Sequence, residues 1–162
     1  MTDNGVIDNY ALGGATAVIF YTEPIATKDI DVFVHVRRDG QSVLMEFQPL
    51  FDYLRERGYE IKGKHAYIEG FPPIQFLLVS KDLINEAVIE ANEFELSGGV
   101  TVRVMSPEYL VVIMLDTGWL KDFLRINVFL EHDAVNTEEL QIVLEKHNLA
   151  EKWQENIGRF QI

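Results

Sequence analysis

The chain has 162 residues, the size of one domain, so a multi-domain machine is excluded. Its 14 basic and 26 acidic residues leave a net charge of −12, which disfavours a surface that coats duplex DNA or anionic lipid. The absence of cysteine removes disulfide scaffolds, thiolate zinc sites and cysteine nucleophiles together.

The first ten residues, MTDNGVIDNY, carry two aspartates and no Lys or Arg, so they do not read as a secretory signal. Residues 9–36 read as strand, turn, helix, strand. NYAL is short and apolar, Gly13-Gly14 breaks it, ATAVIFY can wind, and DIDVFVHV alternates with period two. Asp39-Gly40 marks a turn, and SVLMEF fits neither period. Leu50, Phe51 and Leu54 then predict a helix from Pro49 to Arg57, stopped by Gly58. YEIKG, HAYIEG and PPIQFLLV read as consecutive antiparallel strands, which makes the sheet mixed.

Ser80 is placed to cap a helix with Leu83, Ile84, Ala87, Val88 and Ala91 on one face. FEL and VTVRV flank Ser97-Gly98-Gly99 as a hairpin. Ser106-Pro107 opens a very apolar helix, YLVVIML, that Gly118 ends. Its run from Tyr109 to Leu115 is the longest purely apolar stretch, far short of the ~20 residues that cross a bilayer, so no membrane is expected and the location is expected to be cytoplasmic. WLKDFLRINVFL predicts a second helix. Asn136 with Glu139, or Thr137, begins a third that contains Leu140, Val143 and Leu144. No repeat or linker interrupts the chain. The reading is a single α+β domain over 1–162, with a mixed sheet and its helices in 1–105 and a helical part in 106–162.

Two places attract chemistry. Gly13-Gly14, between a strand and a helix, lets the backbone approach a ligand and turns helix N–H groups toward a phosphate. Gly98-Gly99 joins two strands and reads only as a hairpin turn. The second place is Asp29-Ile30-Asp31, where strand geometry sends both carboxylates to one side and Ile30 to the other. Their repulsion becomes coordination if a divalent cation sits between them. Chance alone supplies roughly four acidic i, i+2 pairs at this composition. The chain has three, 29/31, 93/95 and 131/133, so only the glycine turn upstream sets the first apart.

Taken together, ALGGATAVIFYTEPIATKDIDVFV resembles the start of the DNA polymerase beta nucleotidyltransferase superfamily, where a Gly-Gly or Gly-Ser turn and a helix precede Asp-x-Asp. It is most similar to the small bacterial nucleotidyltransferases of abortive-infection and minimal toxin and antitoxin systems, whose Thr-x-Asp-x-Asp run is matched by Thr27, Asp29 and Asp31. Further on, VRVMSPEYLVVIMLDTGWLKDFLRI is similar to that group's Ser-Pro-Glu helix followed by Gly-x-x-Lys-Asp. The likeness touches both ends of roughly residues 10–130.

The resemblance implies transfer of a nucleoside monophosphate from a nucleoside triphosphate to an RNA or protein acceptor, with pyrophosphate released. Asp29 and Asp31 would hold Mg²⁺, Gly13 and Gly14 would bind the terminal phosphates, and Thr27 and Gln75 would lie against the nucleotide. Lys121, oriented by Asp122, would offset charge, although an exposed helix pair accounts for these two residues equally. A partner protein from an adjacent gene is also implied. Two departures stand out. Gln75 occupies the position of the expected third carboxylate, and an amide cannot act as a base near pH 7. Glu69 falls on the opposite face, so it does not substitute. Met114 and Trp119 stand where many relatives carry Lys and Arg. A catalytically silent domain that binds a nucleotide or a partner is therefore the alternative.

The other signals are plainer. His35, His65, His132 and His147 lack metal-ligand spacing, and His35, though on the side of Asp31, is expected at the surface. No Gly-x-Ser-x-Gly elbow is present. Arg37-Arg38 and Lys62 to Lys64 read as solvated loop ends that an RNA acceptor could also meet. Trp119, Phe123, Phe129 and Trp153 read as core or interface rather than as platforms for bases.

Overall fold

The structure, a computed structural model, describes residues 1–2, 5–23, 26–36 and 47–160. Its frame is β1 (Asn9–Leu12) and β2 (Ile30–His35), linked through the short helix α1 (Gly14–Val18) and paired antiparallel with Leu12 opposite Val32. Side chains alternate along β2, so Val32 and Val34 face one way and Asp31 and Phe33 the other.

On the valine side lies α2 (Gln48–Glu56), with Pro49 in its first turn. Its Leu50, Phe51 and Leu54 pack on Val34, Ala66 and Phe76, each large apolar side chain contributing about 1.5–3 kcal/mol by leaving water. The strands β3 (Glu60–Lys62), β4 (His65–Tyr67) and β5 (Ile74–Leu78) pair antiparallel in sequence, as expected, and β5 then runs parallel to β2. After α3 (Asp82–Ile89) comes the hairpin of β6 (Asn92–Leu96) and β7 (Val100–Val104). The seven-stranded mixed sheet has the order β3-β4-β5-β2-β1-β7-β6, with β1 and β7 parallel.

The chain closes with α4 (Pro107–Thr117), α5 (Leu120–Glu131), α6 (Thr137–Lys146), α7 (Ala150–Asn156) and a 3-10 turn at Ile157–Arg159. A single hydrophobic cluster joins Ala11, Val18 and Val104 of the first part to Leu115, Phe129 and Trp153 of the closing helices. The sheet thus carries α2 on one face and the remaining helices on the other. The cleft described below opens on this second face.

Several expectations change in detail. Ser80 does not cap α3; Lys81 holds the extended cap position and Asp82 starts the helix. Ser106 occupies the cap of α4 without a side-chain hydrogen bond, so Pro107 and the first-turn Glu108 define that start. Asn136 caps α6 by accepting from the N–H groups of Glu138 and Glu139. Glu93 and Glu95 lie on β6 itself. The helix α7 was not singled out in the sequence. Arg37-Arg38, Asp39-Gly40 and residues 42–46 of SVLMEF lie outside the described residues. Among those described, no helix is long and apolar enough to cross a membrane.

Candidate active site

The glycine turn and the aspartates are in direct contact. Gly13 follows β1 and donates its N–H to the Asp31 carbonyl at 3.0 Å. That donor is engaged within the sheet. A Cβ on Gly13 would lie 2.5 Å from the Phe33 ring. Gly14 lies at φ +54, and a Cβ there would overlap the Asp31 carboxylate. Both glycines therefore answer to β2 as well as to the turn. Gly14 and Ala15 line the cleft, and the first bond within α1 is made only by the Ala17 N–H to the Gly13 carbonyl.

Asp29 stands just before β2, its backbone pinned by two hydroxyls. Thr27 Oγ1 and Thr16 Oγ1 donate to its carbonyl at 2.7 and 3.2 Å. Gln75 on β5 faces Asp31 in register. Oriented to satisfy its neighbours, its amide nitrogen donates to Asp29 Oδ2 at 3.1 Å and Asp31 Oδ1 at 3.2 Å, while its oxygen accepts from Lys64. His65, opposite Gln75 on β4, brings Nε2 to 3.9 Å from Asp29 Oδ2. One oxygen from each carboxylate thus converges on a single point, now held by an amide nitrogen.

Burial, and next the neighbouring Asp29 charge, hold the Asp31 carboxyl above its ordinary range, while Arg125, Lys121 and Lys64 pull it back. Converging hard oxygens under mutual repulsion fit Mg²⁺, which takes one or two carboxylates and keeps several waters. Asp29 and Asp31 are the two residues that would hold it.

The helical wall of the cleft comes from α4 and α5. Gly118, left-handed at φ 73, ends α4 and turns the chain so that Trp119 stands at the corner before α5. Between the walls lies a cavity of about 690 Å³. Lys28, Lys64, Lys121 and Arg125 line it against Asp29, Asp31 and Asp122, so it is locally cationic in a strongly acidic chain. Lys121 is not oriented by Asp122. Its Nζ lies 4.4 Å from the centre of the Trp119 ring, whereas the buried Asp122 accepts from Arg125 Nη1 at 3.3 Å. The exposed-pair account fails for Asp122 as well.

Met114 and Trp119, the two departures on the helices, both border the cavity. Trp119 is 59% exposed and belongs to no core. Phe129 and Trp153 are buried as expected, Trp153 stacking on Phe160 with ring centres 4.9 Å apart. Glu69 is exposed and does not line the cleft. His35 lies at the far end of β2 on a second cavity, of about 440 Å³, with Asp8 and Lys81. Sequence reasoning missed Lys64, His65, Thr16 and Arg125 as neighbours of the aspartates. Only Arg125 had a signal, standing one helical turn after Lys121 and Asp122.

No protein-family model and no curated protein matches the sequence. Solved structures do. An antigenic nucleotidyltransferase-like protein from Paracoccidioides brasiliensis aligns at 18% identity and a TM-score of 0.54, over 97% of this chain and 85% of that one. The antibiotic-resistance factor ANT(2'')-Ia, described as having substrate-regulated conformation dynamics, aligns at 15% identity and a TM-score of 0.50, over 98% of this chain and 91% of that one. The chain therefore has a nucleotidyltransferase fold.

Proposed function

We propose that the protein transfers a nucleoside monophosphate from a nucleoside triphosphate to an acceptor hydroxyl, using Mg²⁺ held by Asp29 and Asp31. The observation that carries this reading is the contact of Asp31 with Gly14, with Asp29 beside it, inside one locally cationic cleft. In the reaction, the acceptor hydroxyl gives up its proton to solvent as its oxygen bonds to the α-phosphorus, the bond to the α,β-bridging oxygen breaks, and pyrophosphate leaves with the electron pair. When bound, Mg²⁺ supplies Lewis-acid stabilisation of charge on the phosphoryl oxygens. The bare α-carbon of Gly14 admits the phosphates close to the backbone. Lys121, Lys64 and the Asp122-anchored Arg125 offset the remaining charge and orient the chain of phosphates. Thr27 and Thr16 fix the backbone that aims Asp29. Gln75 binds the carboxylates and takes no proton at neutral pH.

The sequence resemblance supports an RNA or protein acceptor, a toxin and antitoxin setting and a partner protein from an adjacent gene. A second reading, a silent domain that binds nucleotide or a partner without turnover, is favoured by one observation, the amide of Gln75 in place of a third carboxylate. Incubation with α-labelled triphosphate, Mg²⁺ and cell extract separates the two. Transfer predicts label on an acceptor, lost in Asp31→Asn. A Mg²⁺-dependent rise in melting temperature with triphosphate but no label selects the silent reading. Labelling unchanged in Asp31→Asn would overturn the site.

A further inference from the structure

We propose that Trp119 is the platform on which the base of the triphosphate stacks, so that the site prefers purine over pyrimidine nucleotides; this rests on the nucleotidyl-transfer reading. A large indole 59% exposed on the wall of a cavity, while the other tryptophan is 6% exposed in the core, is unspent contact area at the site. Lys121 Nζ sits 4.4 Å from the ring centre, and the indole stays more than half exposed beside it, with room for a planar partner.

The cleft is also polarised. Asp29, Asp31, Gln75 and Lys64 crowd the sheet side, whereas the α4 wall offers Ile113 and Met114. Lys121 touches the indole and lines the same cleft as Asp31 and Lys64, so it links the phosphate end to the ring. A triphosphate anchored at the aspartates and passing Lys121 brings its base to Trp119 and the apolar wall. On the α4 wall the one polar group lining the cavity is the Thr117 hydroxyl, which donates to the Ile113 carbonyl at 2.8 Å. Selection then follows stacking area. ATP and GTP bind alike, both tighter than CTP.

The test uses the whole chain with Mg²⁺ and ATP, GTP, CTP or inorganic tripolyphosphate, reading tryptophan fluorescence and calorimetric affinity. The expected result is quenching by ATP and GTP but not by tripolyphosphate. Trp119→Ala should bind ATP roughly tenfold or more weakly, the range for loss of one base–aromatic stack, with tripolyphosphate affinity unchanged. Trp119→Phe should recover most of the loss. ATP binding unaltered in Trp119→Ala overturns the platform while leaving nucleotide binding intact, and equal affinity for ATP and CTP overturns the purine preference. Failure of the native chain to bind both ATP and tripolyphosphate overturns the nucleotidyl-transfer reading, and this inference with it.

Discussion

The amide of Gln75 lies between two carboxylates that would otherwise repel, and it satisfies both with one nitrogen. An aspartate there would place a third anion against Asp29 and Asp31 and release Lys64 from its amide oxygen. Gln75→Asp should therefore melt below the native chain without metal, because a third anion faces Asp29 and Asp31. It should also show a larger Mg²⁺-induced rise in melting temperature than the native chain and, where coordination limits turnover, more label transferred. Scanning fluorimetry across a Mg²⁺ series reads the first two. A rise equal to that of the native protein would mean that position 75 takes no part in holding metal. Residues of this kind divide sharply in their legibility. Asp29, Asp31 and Gly14 could be read because strand parity and a glycine break are local properties. Lys64 and His65 could not, because they reach Asp29 and Gln75 through the pairing of β4 with β5, and nothing in the local spacing encodes that neighbour.

The elements behind the cleft are fastened at one carboxylate. Glu86 of α3 accepts from Lys146 Nζ at 3.0 Å and meets His147 Nε2 at 2.9 Å at the end of α6, while Tyr109 of α4 donates to it at 3.4 Å. Since α4 carries Met114, this knot steadies the helical wall. Burial acts to raise the Glu86 carboxyl, but the hydrogen bonds and charges of Lys146 and His147 outweigh it and hold the group below its ordinary range. Burial first, and then Glu86, push the Tyr109 phenol up to about 12. A carboxyl lowered on folding stabilises above its unfolded pKa and loses that contribution as pH falls through the folded value. Glu86→Gln should thus melt lower than the native chain at pH 7, with the gap narrowing as pH falls through and below the ordinary carboxylate range, as the native carboxyl also becomes neutral. A gap constant from pH 7 to pH 3 would show that Glu86 acts through packing alone. The limits of α4 were readable from Pro107 and Gly118, whose backbone limits act locally. That Glu86 meets a residue 61 positions away was not, and neither was the start of α3, where extended Lys81 displaces Ser80.

Over the whole molecule, charge and topology separate what the chain can meet from what it can hold. A mixed sheet was legible from its hairpin signals. Its order was not, because the parallel pairs β1 with β7 and β2 with β5 join strands distant in the chain, and it is the second pair that sets Gln75 against Asp31. The charge partition appears only after folding. The cleft gathers four of the cationic side chains and three of the anionic ones, which leaves 10 basic against 23 acidic residues elsewhere. A polyphosphate is attracted once inside, while an extended polyanion is repelled by the remaining surface, so an RNA acceptor would be met at the cleft and not along its length. Duplex DNA, which has no free end thin enough to avoid that surface, should not bind. At physiological salt and roughly 100 μM protein, where typical non-specific DNA binders are at least about half occupied, the anisotropy of a labelled short duplex should stay flat. Under the same conditions Mg²⁺ with ATP should still raise the melting temperature, and less so as salt rises. Saturable duplex binding would mean that a basic surface is assembled outside the cleft, and the separation of charge argued from these residues would be wrong.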